Sequence, residues 1–363
     1  MKKLWQDMLE LGIRSVGTKG NLKAGEFIYN ELSKYTDEIS WEPFEFQGWH
    51  SECESTSIGI NSGGKERTLQ SWAFMGSGMG PFEGTIKKIG KSHVWNMYLW
   101  DRYAVINDGR VLGYIIGREN GGALSQTLID GNSSIPNVII SDEDSRWLSR
   151  ELEAFDEVSC WGEVKCEQRA MEGRNILGRF SPPGSHGKKR VIVCAHYDSM
   201  YNTVGAYDNA AGVVVLLELA RRLKEHTLRP VDIIFMDGEE WALAGSKYMA
   251  GKTKPDEIEY VLNIDGVGSC DEMEIWCGGQ EFEKKIIELV LANSEIADYC
   301  FINPPKRGSD HVPYNDMGID CVMYTFNEQD VIHTPRDIFN NKTVGNMEKM
   351  LRLCWSTLQQ IQS

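Results

Sequence analysis

The chain has 363 residues, 41% of them hydrophobic, enough to build a sizeable core in two domains or one elaborated one. With 53 acidic and 38 basic residues its formal charge is −15, and no Lys/Arg cluster could track a phosphate backbone, so nucleic acid is not expected as a partner. No run approaches the roughly 18 apolar residues of a membrane span, and Asp7, Glu10 and Arg14 interrupt the start before any signal-like run, so a cytoplasmic protein without a membrane partner is expected.

From the N-terminus, Trp5 to Leu32 reads as helical with a break at Gly17-Thr18-Lys19-Gly20-Asn21, and Glu42 to Phe46 reads as a strand. Between Trp49 and Arg169 the character changes. Short alternating runs (Gly84 to Lys88, Tyr103 to Asn107, Val111 to Ile116) separated by glycine and asparagine turns predict a β-rich insert. The expected division is 1–48 and 171–363 as the two parts of a catalytic domain, with 49–170 inserted between them. After the loop at Ser181-Pro182-Pro183-Gly184 the pattern alternates strand and helix. Val191 to Ala195, Val231 to Met236, Tyr260 to Ile264 and Cys321 to Tyr324 are apolar runs that suit strands covered on both sides. Gly212 to His226, Glu281 to Asn293 and Lys342 onward read as helices. The expected class is α/β: a mixed, largely parallel sheet with helices on both faces, plus the β-rich insert.

Nine cysteines (Cys53, Cys160, Cys166, Cys194, Cys270, Cys277, Cys300, Cys321 and Cys354) are scattered without a C-x-x-C pair. Reduced, partly buried thiols are expected, with no thiolate metal site. His50, His93, His186 and His226 stand in polar surroundings and read as surface residues.

The remaining acidic and imidazole residues fall after the C-terminal ends of the predicted strands, the edge where open α/β sheets bind ligands. His196 and Asp198 follow the Val191 strand, and Asp208 sits in the Gly/Ala-rich turn that opens the next helix. Glu239 and Glu240 follow the Val231 strand, Asp265 the Tyr260 strand, and His333 the Cys321 strand. Two imidazoles with several carboxylates suit zinc, with manganese or cobalt as substitutes. Two metals about 3.5–4 Å apart would need a shared carboxylate, for which Asp208 is the candidate. Adjacent Glu239 and Glu240 can reach one site only through a turn, which Gly238 and Trp241 to Ser246 could supply; one would then bind metal and the other move a proton. Asp198 could accept the second N–H of His196. Asp310 and His311, in Gly308-Ser309-Asp310-His311-Val312, are candidates for an outer shell or substrate pocket.

Taken together, His196-Tyr197-Asp198-Ser199, Gly205-Ala206-Tyr207-Asp208-Asn209, Asp237-Gly238-Glu239-Glu240, Asn263-Ile264-Asp265, Ser309-Asp310-His311 and His333-Thr334-Pro335-Arg336-Asp337 resemble, in order, the motifs of an M28-type zinc peptidase of the bacterial leucyl-type aminopeptidase group. That resemblance implies a zinc-exopeptidase (phosphorylase/hydrolase-like) fold and two zinc ions. His196 and Asp265 would hold one ion, Glu240 and His333 the other, and Asp208 would bridge them. Glu239 would be the general base toward a water between the metals, Asp198 would orient His196, and the substrates would be peptides. Ser134 to Asp144 is similar to the end of a protease-associated domain. Two positions depart from the family pattern: Ile332 stands where many members carry an oxyanion-stabilising tyrosine, and Gly266 stands where a larger apolar residue is common. A glutaminyl cyclase, an acidic-dipeptide carboxypeptidase and a non-catalytic binding module are the competing readings on this scaffold.

Overall fold

The computed structural model describes residues 1–51, 56–94, 98–129, 131–226, 229–292 and 298–361. Cys53 and the predicted helix end at Asn293 lie outside them. The N-terminal helical stretch is two helices, α1 (Lys2–Leu9) and α2 (Lys19–Leu32), the second capped by the Thr18 hydroxyl, which accepts the Asn21 N–H. The break is longer than the glycines alone suggest because residues 10–18 dip toward the centre of the molecule and bury Arg14 there.

β1 (Glu38–His50) then leads into the insert: β2 (Thr56–Ser62), β3 (Lys65–Ala73), β4 (Gly80–Val94), β5 (Tyr98–Asn107), β6 (Arg110–Gly117), β7 (Asn137–Ile140), α3 (Asp142–Ala154) and β8 (Val158–Val164). These seven strands, β2 to β8, close into a barrel, in the order β2-β3-β7-β6-β5-β4-β8. The insert is therefore not purely β. Ser141 caps α3 by accepting the Asp144 N–H, and Leu148 on that helix is fully buried in the barrel core. Two residues from the other part of the chain, Met200 and Tyr201, belong to the same core. Tyr201 packs edge-on to Trp49 and donates its hydroxyl to Ala73 O at 2.9 Å, so barrel and sheet meet through a packed interface.

The chain returns on β9 (Glu167–Phe180), antiparallel to β1 along its whole length. Then follow β10 (Arg190–His196), α4 (Ala211–His226), β11 (Val231–Met236), α5 (Ala244–Lys252), β12 (Ile258–Val267), β13 (Met273–Gly278), α6 (Gln280–Leu291), β14 (Tyr299–Ile302), α7 (Val312–Asp316), β15 (Cys321–Phe326) and α8 (Asn341–Gln360). The eight-stranded sheet runs β1-β9-β11-β10-β12-β15-β13-β14. Its four central strands, β11, β10, β12 and β15, are mutually parallel, while β9 and β13 run antiparallel to their inner neighbours. The apolar run of β10 explains itself by alternation: Val191, Val193 and Ala195 pack with α4 and α8, whereas Ile192 and Cys194 pack with α5 and α7 on the opposite face. All eight cysteines among the described residues are free, and no described helix is long and apolar enough to cross a membrane.

Candidate metal centre

The candidate ligands converge at the C-terminal edge of the parallel strands. His196 ends β10, and Asp208 lies in an irregular turn before α4 whose backbone (φ −115°, ψ 94°) departs from the helix. β12 runs two residues past Asp265, and its pairing with β15 shifts register between Ile264 and Val267; an irregularity of this kind re-aims the side chains it carries. After β11, Gly238 (φ +70°), Ala242 (φ +55°) and Leu243 (φ +60°) form the tight turn that brings both glutamates to one place. His333, also at positive φ (+56°), follows β15 by seven residues.

Asp208 lies between the two imidazoles. Its Oδ1 is 3.1 Å from His196 Nε2, and its Oδ2 is 3.2 Å from His333 Nε2. His196 Nε2 is also 3.1 Å from Asp265 Oδ1, and His333 Nε2 is 3.3 Å from Glu240 Oε2. His196, Asp208 and Glu240 offer donor atoms that all lie within 4.8 Å of one another. Donors bound at about 2.0–2.1 Å to a tetrahedral zinc lie roughly 3.3 Å apart, so these spacings and this N/O donor set fit zinc. His196, Asp265 and Asp208 could hold one ion, and His333, Glu240 and Asp208 a second.

Around these groups lies a ring of residues that orient them. Asp198 accepts the N–H groups of Glu239 (3.1 Å) and Glu240 (3.2 Å), so it fixes the glutamate turn. Its approach to His196 Nδ1 is long, at 3.5 Å, and the orienting role expected from the sequence is the weaker of its two contacts. Glu240 Oε1 accepts the Met200 N–H at 3.0 Å, which leaves Oε2 facing His333. Asp337 accepts the N–H groups of Tyr207 and Asp208. Fully buried Arg14 donates to the carbonyls of Tyr197 (2.8 Å), Val204 and Gly205 (3.0 Å), beneath the loop that carries Asp208. Gln126 Oε1, from the insert, lies 2.9 Å from His333 Nδ1. The sequence reading gave no role to Arg14, Asp337 or Gln126; the one available signal was the excess of carboxylates, which calls for a buried cation.

The electrostatics describe a site short of positive charge. Burial disfavours an imidazolium, but Asp265 and Glu239 outweigh it at His196 and hold that pKa well above the ordinary value. At His333, Glu240 and Asp208 likewise overcome burial and push the pKa up to about 10. Burial raises the Glu239 carboxyl well above the usual range and raises Glu240 as well. Asp208, despite burial, is held below the usual carboxylate range by the two imidazoles. A metal-free centre thus draws protons to both histidines, as expected where cations are meant to sit.

A cavity of about 450 Å³ opens on this centre, with Asp208, Glu239, Glu240, Asp265 and His333 in its wall beside Trp276, Met323 and Ile332. Ile332 offers no donor. Tyr207 also lines the cavity, but its hydroxyl donates to Asn327 Oδ1 at 3.0 Å. Gly266 is required: at φ +74° an added Cβ would stand 2.8 Å from the Tyr207 ring and 2.9 Å from Thr325 Oγ1. Asp310 and His311 are completely buried behind the Lys306 to Gly308 segment of the wall and do not line the cavity. His311 Nε2 donates to Lys306 O at 2.9 Å, and burial pushes its pKa down to about 4, the behaviour of a neutral structural histidine. Asp310 has a pKa raised by burial to about 7. His93, His186 and His226 are exposed, and His50 is half-buried.

A mixed α/β sheet with paired imidazole–carboxylate groups along its carboxyl edge is a scaffold suited to holding divalent cations. Residues 175–358 match Peptidase family M28, about half of the chain, and the chain belongs to that family. It is 28% identical over 224 residues to Aminopeptidase YwaD of Bacillus subtilis (strain 168), covering 58% of this chain and 48% of that protein. It is 29% identical over 200 residues to the vacuolar membrane protease of Schizosaccharomyces japonicus, covering 50% of this chain and 22% of that protein. The matches therefore span about half or less of these relatives' own length. Its fold is similar to that of the zinc aminopeptidase BSAP from Bacillus subtilis (TM-score 0.72, 20% identity, 98% of this chain and 93% of that one).

Proposed function

We propose that this protein is a di-zinc metallo-exopeptidase, an aminopeptidase that releases N-terminal residues from peptides. The observation that carries the reading is the placement of Asp208 with one carboxylate oxygen toward each of two imidazoles. Such a group can serve two cations at once. Zinc, with manganese or cobalt as substitutes, supplies a Lewis acid that acidifies water and polarises a carbonyl. His196 and Asp265 would hold one position, His333 and Glu240 the other, and Asp208 would serve both.

Glu239 is free for proton transfer. Its N–H is tied to Asp198, its neighbour Glu240 turns toward His333, and its carboxyl lines the cavity. A carboxyl raised by burial is a stronger base than a solvated one, which suits it to take a proton from water and return it to the leaving amine. Ile332 cannot stabilise the developing oxyanion, so that task falls to the cation positions. Residues 49–170 are read as an inserted, protease-associated-like module, and the eight free cysteines among the described residues suit a reducing, cytoplasmic setting.

The test is a panel of peptides and aminoacyl chromogenic substrates, assayed before and after chelation. Release of free N-terminal amino acids, lost on chelation and regained with zinc, is the expected result. Ammonia release from N-terminal glutamine peptides would move the assignment to a cyclase, and cleavage of acidic dipeptides from the C-terminal side to a carboxypeptidase.

A further inference from the structure

The chain leaves the barrel after β6 and crosses to the metal centre before it re-enters at β7. Part of this crossing segment is tied to the barrel: Ser125 Oγ donates to Ala73 O (3.1 Å), Met75 N to Gln126 O (2.8 Å) and Leu128 N to Met75 O (3.0 Å). The overlapping stretch Ser125 to Thr127 also reaches two of the candidate ligands. His333 Nδ1 faces Gln126 Oε1 at 2.9 Å and Ser125 O at 3.1 Å; both are acceptors, so Nδ1 carries a proton and Nε2 is the nitrogen that faces Asp208 and Glu240. Ser125 N donates to His333 O at 3.0 Å, which supports a histidine held at φ +56°, a conformation that side-chain-bearing residues keep only when their surroundings enforce it. Thr127 Oγ1 donates to Glu240 O at 2.5 Å. By contrast, among the described residues the ring nitrogens of His196 pair with Asp198, Asp208 and Asp265, none of them in the barrel.

We propose that the inserted barrel builds the outer shell of one metal position only, so that the ion held by His333 and Glu240 depends on Ser125 to Thr127 while the ion at His196 and Asp265 does not. This rests on the di-zinc reading above. Gln126 and Thr127, which also line the cavity, are positioning residues: they act by fixing the orientation of one ligand and the backbone of another. By linkage, an ion at the His333 position should in turn hold the barrel against the sheet.

The experiment is a zinc titration of the demetallated full-length chain, read by competition with a chromophoric chelator, for wild type, Gln126→Ala, Gln126→Glu and Thr127→Val. Wild type should take two ions. Gln126→Ala should bind the first unchanged and the second about 10- to 100-fold more weakly, the usual loss when a ligating histidine loses its partner. Gln126→Glu, which still accepts the Nδ1 proton, should restore the second ion. Thr127→Val, close in shape, should weaken the second ion alone, and it serves if Gln126→Ala does not fold. Wild-type affinity at both positions, or equal weakening of both, in Gln126→Ala and Thr127→Val overturns the inference. Fewer than two ions in wild type overturns the di-zinc reading itself, and the inference with it.

Discussion

Asp337 accepts the backbone N–H of Asp208 at 3.0 Å, and of Tyr207 beside it, so one carboxylate fixes the turn that aims the group shared by both histidines. Burial and the nearby Asp208 push the Asp337 pKa up to about 8, against the pull of those two N–H bonds and of Arg14. Asp337→Ala should leave the sheet folded and weaken zinc binding about 10- to 100-fold. Chelator competition measures this, and an unchanged affinity would mean that the turn holds its own shape.

Arg14 is a fully buried cation beneath the loop that carries Asp208. Burial lowers its pKa to about 10, offset by Asp337, Asp198, Asp208 and Glu240, and the guanidinium remains charged at neutral pH. Arg14→Met removes that charge and strands three carbonyls. The metal-free protein should lose about 3–5 kcal/mol of stability, the usual result of leaving buried charge without its partner. Denaturant unfolding with and without zinc checks this: the loss should shrink when zinc replaces the missing positive charge, and an equal loss in both would point to packing alone.

Glu239→Ala removes the proposed proton carrier and none of the five candidate ligands. Peptide hydrolysis should fall about 10²- to 10⁴-fold with zinc content unchanged, measured by steady-state kinetics beside metal analysis. Full activity in this variant would refute its role.

The pH dependence of the metal-free protein has a definite sign. The His333 pKa is raised in the folded chain from 6.5 to about 10. Its stabilising contribution is therefore complete below about pH 6.5 and lost as pH rises toward 10. His196 and Glu239, also raised, act in the same direction. Thermal melting of demetallated protein should fall across that window, while zinc affinity rises because binding displaces the His333 proton. A melting temperature that climbs with pH would contradict this electrostatic picture.

The positions that converge were readable because they stand at or beyond the ends of predicted buried runs, and strand ends on one edge of a parallel sheet must come together: His196 after Val191 to Ala195, Glu239 and Glu240 after Val231 to Met236. What could not be read were partners joined only by the tertiary fold. Arg14 lies 183 residues before Tyr197, whose carbonyl it holds, and Gln126 lies 207 residues before His333. Asp310 and His311 share the sequence environment of cavity residues yet pack behind the wall, because direction along a loop is set by packing rather than by order. Strands β13 and β14 went unread as short segments at the sheet's far side, and α3 was hidden by its polar face, although Ser141 before Asp142-Glu143-Asp144 is a fair helix-start signal.

Anomalous scattering from a crystal of the zinc-loaded protein, collected at the zinc absorption edge, tests the central claim most directly. Two peaks should appear, one bonded to His196 and Asp265 and one to His333 and Glu240, with Asp208 reaching both. A single peak, or zinc bound elsewhere with Asp208 left without a metal, would contradict it.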